Sequence, residues 1–256
     1  NPTDSPIDLT NYYICDDENY YKMQTEGDMA PSSSISGFTA RFPSLSINSG
    51  DTLHVILNSD YSGFYGEDFV PDLIMYGSDN NSMLETESGS IGFSNNKIAE
   101  SSELIILFKW DGTNGNLIQD IDYFLWGAYQ TPINKTAIPT YQNDTPTDNQ
   151  MYFEEVTEKY YAYSRIGTNE ISEIQTGGNG IAGHDETSEN FRESWEISAL
   201  FNLGCTSVNA INYDDNSEID DESCYYITIS EIINDPIIGE EVITAGLICD
   251  YYKPTN

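Results

Sequence analysis

Apolar and polar residues alternate along this chain in short runs, separated by clusters of Gly, Asn, Asp and Ser. A period of two marks a half-buried strand, because successive side chains in a strand point to opposite faces. Strands are expected over residues 12–15, 38–42, 52–57, 73–76, 104–110, 123–128 and 161–165. Between them lie Asn48-Ser49-Gly50, Asp79-Asn80-Asn81, Ser94-Asn95-Asn96 and the run from Asp111 to Gly115, residues that tolerate the positive φ of tight turns. Helical periodicity is nearly absent. Many short strands with frequent turns predict an all-β, antiparallel sandwich.

The clearest hairpin covers residues 103–127. Leu104, Ile106 and Phe108 alternate toward one face, the Asp111–Gly115 turn reverses the chain, and Ile121, Tyr123 and Leu125 are expected to return on that face. A polar stretch with Pro132, Pro139 and Pro146 reads as a long surface loop, and a second loop spans 167–194 with too many glycines for a regular strand.

Length and charge narrow the function classes. The 256 residues suffice for one large β domain or two small ones. Nine Lys and Arg stand against 43 Asp and Glu, a net charge of -34. Such a chain repels nucleic-acid phosphates and anionic membrane surfaces, so nucleic acid is excluded as a partner. Self-repulsion on this scale is relieved by bound cations or by salt, whose Debye length is about 8 Å at physiological ionic strength. Saline, calcium-containing surroundings are expected. The longest apolar runs, such as residues 104–108, fall far short of the roughly 20 residues that span a bilayer, so no membrane insertion is expected. Cys205 and Cys224 are placed like a staple, which points to an oxidising compartment.

Four segments in order, PTDSPIDLTNYYI, SINSGDTLHVIL, GSIGFSNN and ELIILFKWDGTNGNLIQDIDYFLWG, together resemble the lamin-tail domain of exported bacterial proteins, with Asp8-Leu9, Gly50-Asp51, Gly112 and Asp120-Ile121-Asp122 at its motif positions. The resemblance covers residues 1–200 and implies an immunoglobulin-like antiparallel β-sandwich, lacking its first strands, used for binding and display without catalytic residues. Residues 201–225 are similar to Cys-bracketed acidic repeats in large surface proteins of marine bacteria, and 226–256 read as a C-terminal strand segment.

Three constellations carry candidate chemistry. Asp214, Asn216, Glu218, Asp220, Asp221 and Glu222 lie between the bracketing cysteines, and a dense set of carboxylates suits calcium, which takes six to eight oxygen ligands. The alternative is a solvated acidic loop. His184, Asp185, Glu186 and Glu189 follow Gly180 and Gly183 and form a candidate second cation loop, with local capping bonds as the alternative. No His-Glu-x-x-His or Gly-x-Ser-x-Gly spacing accompanies them, so no enzyme is expected. Cys15 and Cys249 sit in similar strings and are either a disulfide or two buried thiols.

The tail residues Ile227, Ile229, Glu231, Val242 and Thr244 read as strands that complete the sheet of a neighbouring copy, because an open hydrophobic edge attracts a strand. Donor and acceptor at opposite ends make the contact heterologous and propagating. The expected function is therefore an exported bacterial surface protein, marine or saline, that polymerises head to tail with calcium as cofactor. An accessory domain of a secreted hydrolase, or a carbohydrate-binding adhesion module on a cell surface or polysaccharide, is the alternative. The latter would need Trp110, Trp126 and Trp195 exposed, although packing is the commoner role.

Overall fold

The computed structural model describes residues 1–23, 37–57, 61, 65, 66, 68–75, 81–91, 98–127, 132–141 and 144–228. Their strands are β1 (Ile7–Asp8), β2 (Tyr12–Cys15), β3 (Thr39–Arg41), β4 (Ser46–Ile47), β5 (Val55–Ile56), β6 (Leu73–Ile74), β7 (Leu84–Glu85), β8 (Ser102–Lys109), β9 (Gln119–Gly127), β10 (Tyr161–Arg165), β11 (Trp195–Ala199), β12 (Leu203–Gly204) and β13 (Ile219–Asp220). The all-β expectation holds. The largest sheet is antiparallel throughout, in the order β7-β3-β2-β8-β9, and the remaining strands form the two-stranded pairs β1-β4, β5-β6, β10-β11 and β12-β13. The chain divides into two compact units, the first of residues 1–157 and 164–196, the second of 158–163 and 197–256.

In the first unit the sheet is apolar on both faces. Tyr12, Ala40 and Phe42 join Leu9, Leu73, Met75 and Met83 in one cluster, with Ile14, Ile105, Leu107 and Ile121 packed against it. On the other face Tyr13 lies opposite Phe108 and stacks on it at 5.0 Å, Cys15 lies opposite Ile106, and Ile106 lies opposite Tyr123. The expected polar loop after β9 covers this face: the Tyr141 hydroxyl donates to the Tyr21 carbonyl at 3.0 Å, and Gln150 Nε2 donates to the Ile133 carbonyl at 2.7 Å. It is a packed layer, with Ile133 and Lys135 fully buried.

One expected position is corrected. Leu107 pairs with Asp122 and Phe108 with Asp120, so a bulge leaves Ile121 without a partner in the ladder. A bulge sets two residues against one and so reverses the alternation beyond it. Ile121 turns to the first cluster instead of joining Tyr123 and Leu125, and Asp120, 3% exposed, takes the place opposite Phe108. The outer edge of β9 is partly covered by main-chain bonds: Phe153 N–H to the Leu125 carbonyl at 2.8 Å, Gly127 N–H to the Phe153 carbonyl at 2.9 Å, and Asp120 N–H to the Asn179 carbonyl at 3.2 Å.

The tryptophans are packing residues. Trp110 and Trp126 are buried, and Trp195 stacks on Phe124 with ring centres 4.1 Å apart. Cys15 is a free, fully buried thiol, and burial pushes its pKa well above the usual value. Ile227 is half-buried, while Ile229, Glu231, Val242, Thr244 and Cys249 lie outside the described residues.

The second unit is held by the disulfide Cys205–Cys224, which closes a sequence separation of 19. The short parallel pair β12-β13 joins the residues just before Cys205 to Ile219–Asp220 within the closed loop. Asn202 brackets it further, its N–H donating to Glu218 Oε2 at 2.9 Å and its carbonyl accepting from the Glu218 N–H at 2.8 Å.

Two stability measurements check this description. At Gly127 φ is +90°, and an added Cβ would run into the Ser101 carbonyl and lie 2.5 Å from Ser102 Cα. Gly127→Ala should cost about 3 kcal/mol in denaturant unfolding, because backbone cannot yield and the left-handed conformation is strained. Gly112→Ala, at φ +78° in open space, should cost only about 1 kcal/mol. Equal losses would contradict the packing at the β8-β9 end. Replacing Cys205 and Cys224 by Ser should destabilise the second unit by about 3 kcal/mol through loop-closure entropy.

Candidate metal centre

The glycine-rich loop of the first unit folds on itself through main-chain bonds. Gly178 N–H donates to the Gly183 carbonyl at 2.9 Å, and Gly180 N–H to the His184 carbonyl at 2.8 Å. A Cβ at Gly178 would overlap the His184 carbonyl, and one at Gly180 would lie 2.6 Å from Glu186 Oε1. Glycine at 180 thus makes room for a carboxylate. A second arm, residues 168–175, is fastened alongside: Asp185 N–H donates to the Ile174 carbonyl at 2.8 Å, Ile174 N–H to Ser188 Oγ at 2.7 Å, and Asn190 N–H to the Ile171 carbonyl at 2.8 Å.

These two arms bring Glu170, Glu173, His184 and Glu186 together, with one ligand atom from each lying within 4.8 Å of the others. They line an open cleft of about 410 Å³ together with Ile121, Asn169 and Ala182. Ser172 and Ala182 both adopt left-handed backbone, φ 66° and 60°. For non-glycine residues this costs about 1 kcal/mol or more, and such strain concentrates at functional positions. The turn at Ser172 lies between the two glutamates of the first arm.

The electrostatics are unbalanced. Glu186 is 4% exposed, and burial, followed by the charges of Glu170 and Glu173, pushes its carboxyl up to about 10. Burial and then Glu173 raise Glu170 to about 7, and burial raises Glu173 as well. The Glu173 side chain is 3% exposed; its Oε2 lies 3.1 Å from His184 Nδ1, and its Oε1 is buried with no hydrogen-bond partner. A buried carboxylate oxygen without a donor is costly unless a proton or a cation reaches it. The nearby cation, Arg165, is already committed. It donates to Glu189 Oε1 at 2.7 Å and to Asp122 Oδ1 at 2.5 Å, lies 3.6 Å from Glu170 Oε1 and stacks 4.7 Å over the Trp195 ring.

Of the expected second cation loop, His184 and Glu186 join this cluster. Asp185 turns away, its Oδ1 accepting from the Thr187 hydroxyl at 2.6 Å and its Oδ2 from the Thr145 hydroxyl at 2.8 Å. Glu189 is taken by Arg165. Glu170 and Glu173 were not foreseen; acids three apart just before the glycine run were the available signal. The residues between the cysteines do not converge into such a group. Asp214 Oδ1 accepts from the Asn216 N–H, Asp220 Oδ1 from the Glu222 N–H, Asp221 Oδ1 from the Ser223 N–H, and Glu218 Oε2 from the Asn202 N–H, each at 2.9 Å. The three aspartates cap local turns, and Glu218 is tied to Asn202. Among the described residues, the single group of three or more His, Cys, Asp or Glu close enough to share an ion is the one in the cleft.

The metal-free protein should show the imbalance in its pH dependence. Between about pH 5 and a pH of about 10 the folded state keeps a proton on Glu186 that the unfolded chain has released, so this group makes stability fall as pH rises. Glu186→Gln should flatten that part of a plot of denaturant midpoint against pH. An unchanged slope would place the proton elsewhere. Comparison with family models, with curated proteins and with solved structures returns no match.

Proposed function

We propose that this chain is an exported, non-enzymatic structural module whose folded loops are locked by a divalent cation in the cleft of Glu170, Glu173, His184 and Glu186. The observation that carries this reading is the convergence of three half-buried or buried carboxyls and one imidazole, with one ligand atom from each within 4.8 Å of the others. Three carboxylates exceed what Arg165 offsets, and a 2+ ion supplies the missing charge while tying the two arms together. An imidazole nitrogen in the set favours manganese or zinc, because calcium takes oxygen ligands almost exclusively. Export is supported by the Cys205–Cys224 disulfide. None of the helices among the described residues is long and apolar enough to cross a membrane. The large antiparallel sheet, apolar on both faces, fits the display role of an immunoglobulin-like sandwich of lamin-tail type on a bacterial surface.

The test is thermal unfolding of chelator-stripped protein with manganese, zinc or calcium added singly. An ion bound to the folded state alone adds about 2.7 kcal/mol at 100 times its Kd, so manganese or zinc should raise Tm by several degrees. Glu173→Gln should remove most of that rise. No shift with any of the three ions would end the metal reading. A shift with calcium alone, kept in Glu173→Gln and lost in Asp214→Asn with Asp220→Asn, would move the site to the disulfide loop.

A further inference from the structure

A second group of buried charges lies in the first unit and takes no part in the cleft chemistry. Lys135 is 0% exposed, and the Asp120 and Asp144 side chains are each 4% exposed. Lys135 Nζ contacts Asp120 Oδ2 directly and lies 3.2 Å from Asp144 Oδ1. The Tyr20 hydroxyl donates to the other oxygen of Asp120. Asn179 Nδ2 donates to Asp144 Oδ1 at 2.9 Å, while Asp144 Oδ2 is buried with no hydrogen-bond partner. Tyrosine rings close the surroundings, with Nζ 5.5 Å from the Tyr20 centroid and 6.0 Å from that of Tyr141.

With all three groups ionised this site would hold two negative charges against one positive charge, away from water. Burial raises the pKa of Asp144, which makes it the better proton acceptor beside the amine. An amine and a carboxyl held in contact face each other at an effective concentration of roughly 10⁵–10⁸ M. The ion pair has also lost the hydration that would otherwise protect it from reaction.

We propose that Lys135 and Asp120 condense to an intramolecular amide bond, with Asp144 as the proton carrier. Nζ attacks Cγ of Asp120, the Nζ–Cγ bond forms, and the Cγ–Oδ2 bond breaks. Of the three ammonium protons, two leave with the departing oxygen as one water and the third stays on the amide nitrogen. The positive charge of Lys135 and the negative charge of Asp120 vanish together, so the step needs no oxidant or reductant. Asp144 Oδ1 faces the amine and takes its proton, and the unpartnered Oδ2 is the second position from which a proton passes on to the leaving oxygen. The Tyr20 hydroxyl, on Asp120 Oδ1, stabilises the charge that builds there in the tetrahedral intermediate.

Mass spectrometry of the full-length chain decides it. The intact mass should fall below the sequence mass by one water beyond the two hydrogens lost to the disulfide. Trypsin does not cut after an acylated lysine, so reduction and digestion should yield residues 110–159 as one peptide lighter by one water, looped between Asp120 and Lys135, in place of separate peptides 110–135 and 136–159. The deficit should disappear in Lys135→Arg, and also in Asp144→Asn, whose folding is checked by circular dichroism. A native chain with no water deficit, or with one that maps away from Lys135, overturns the proposal and leaves the three side chains as a buried ion cluster. A folded Asp144→Asn chain that still carries the full cross-link removes Asp144 from the chemistry.

Discussion

A carboxylate turned into the apolar face of the sheet sets the arrangement of the first unit. The bulge at Ile121 places Asp120 among Phe108, Tyr123 and Tyr20, where an unmatched charge would cost several kcal/mol. The chain answers from three directions. Tyr20 reaches it from far upstream, Lys135 from the loop after β9, and the Asn179 carbonyl accepts the Asp120 backbone N–H. Asp120 also bridges Gly180, at the root of the loop that carries His184 and Glu186. The residue that the sheet would be expected to reject is therefore the one that fixes both loops. It explains why a stretch with three prolines packs as an ordered layer.

The two interior concentrations of charge are matched in different ways. Around Lys135 a single ammonium sits between two carboxylates, and burial raises the pKa of Asp144, the one with an unpartnered oxygen. Around the cleft the guanidinium of Arg165 stands to one side. Its planar fork engages Glu189 with both amino groups and Asp122 with one, while its face lies on Trp195. A lysine has neither the fork nor the flat face for this combination. Glu170, Glu173 and Glu186 are left to neutralise one another by holding protons, an arrangement that any entering cation would undo.

Much of the fold was legible because burial on a sheet face imposes a period of two, and β8 carries that period through Leu104, Ile106 and Phe108 without interruption. The staple was legible because two cysteines flank one short polar segment. Ile121 was misplaced because a bulge shifts register without leaving any trace in composition. The cleft was half legible: His184 and Glu186 are neighbours in the chain, whereas Glu170 and Glu173 reach them only through main-chain bonds such as that between Asp185 and Ile174. The acids between the cysteines looked convergent because carboxylate density says nothing of direction. Each of Asp214, Asp220 and Asp221 accepts from a backbone N–H two residues on, which points it along its own turn.

The buried thiol of Cys15 bears on how the chain oxidises. Thiol–disulfide exchange proceeds through the thiolate, and its rate follows thiolate fraction and access. Once β2 is laid between β3 and β8, Cys15 has neither: it is fully enclosed, and its thiol keeps its proton at any physiological pH. Folding of the sheet thus withdraws Cys15 from the pool of reactive sulfurs. Cys205 and Cys224 then find each other with one fewer competitor, so the order in which the units form decides how cleanly the staple closes.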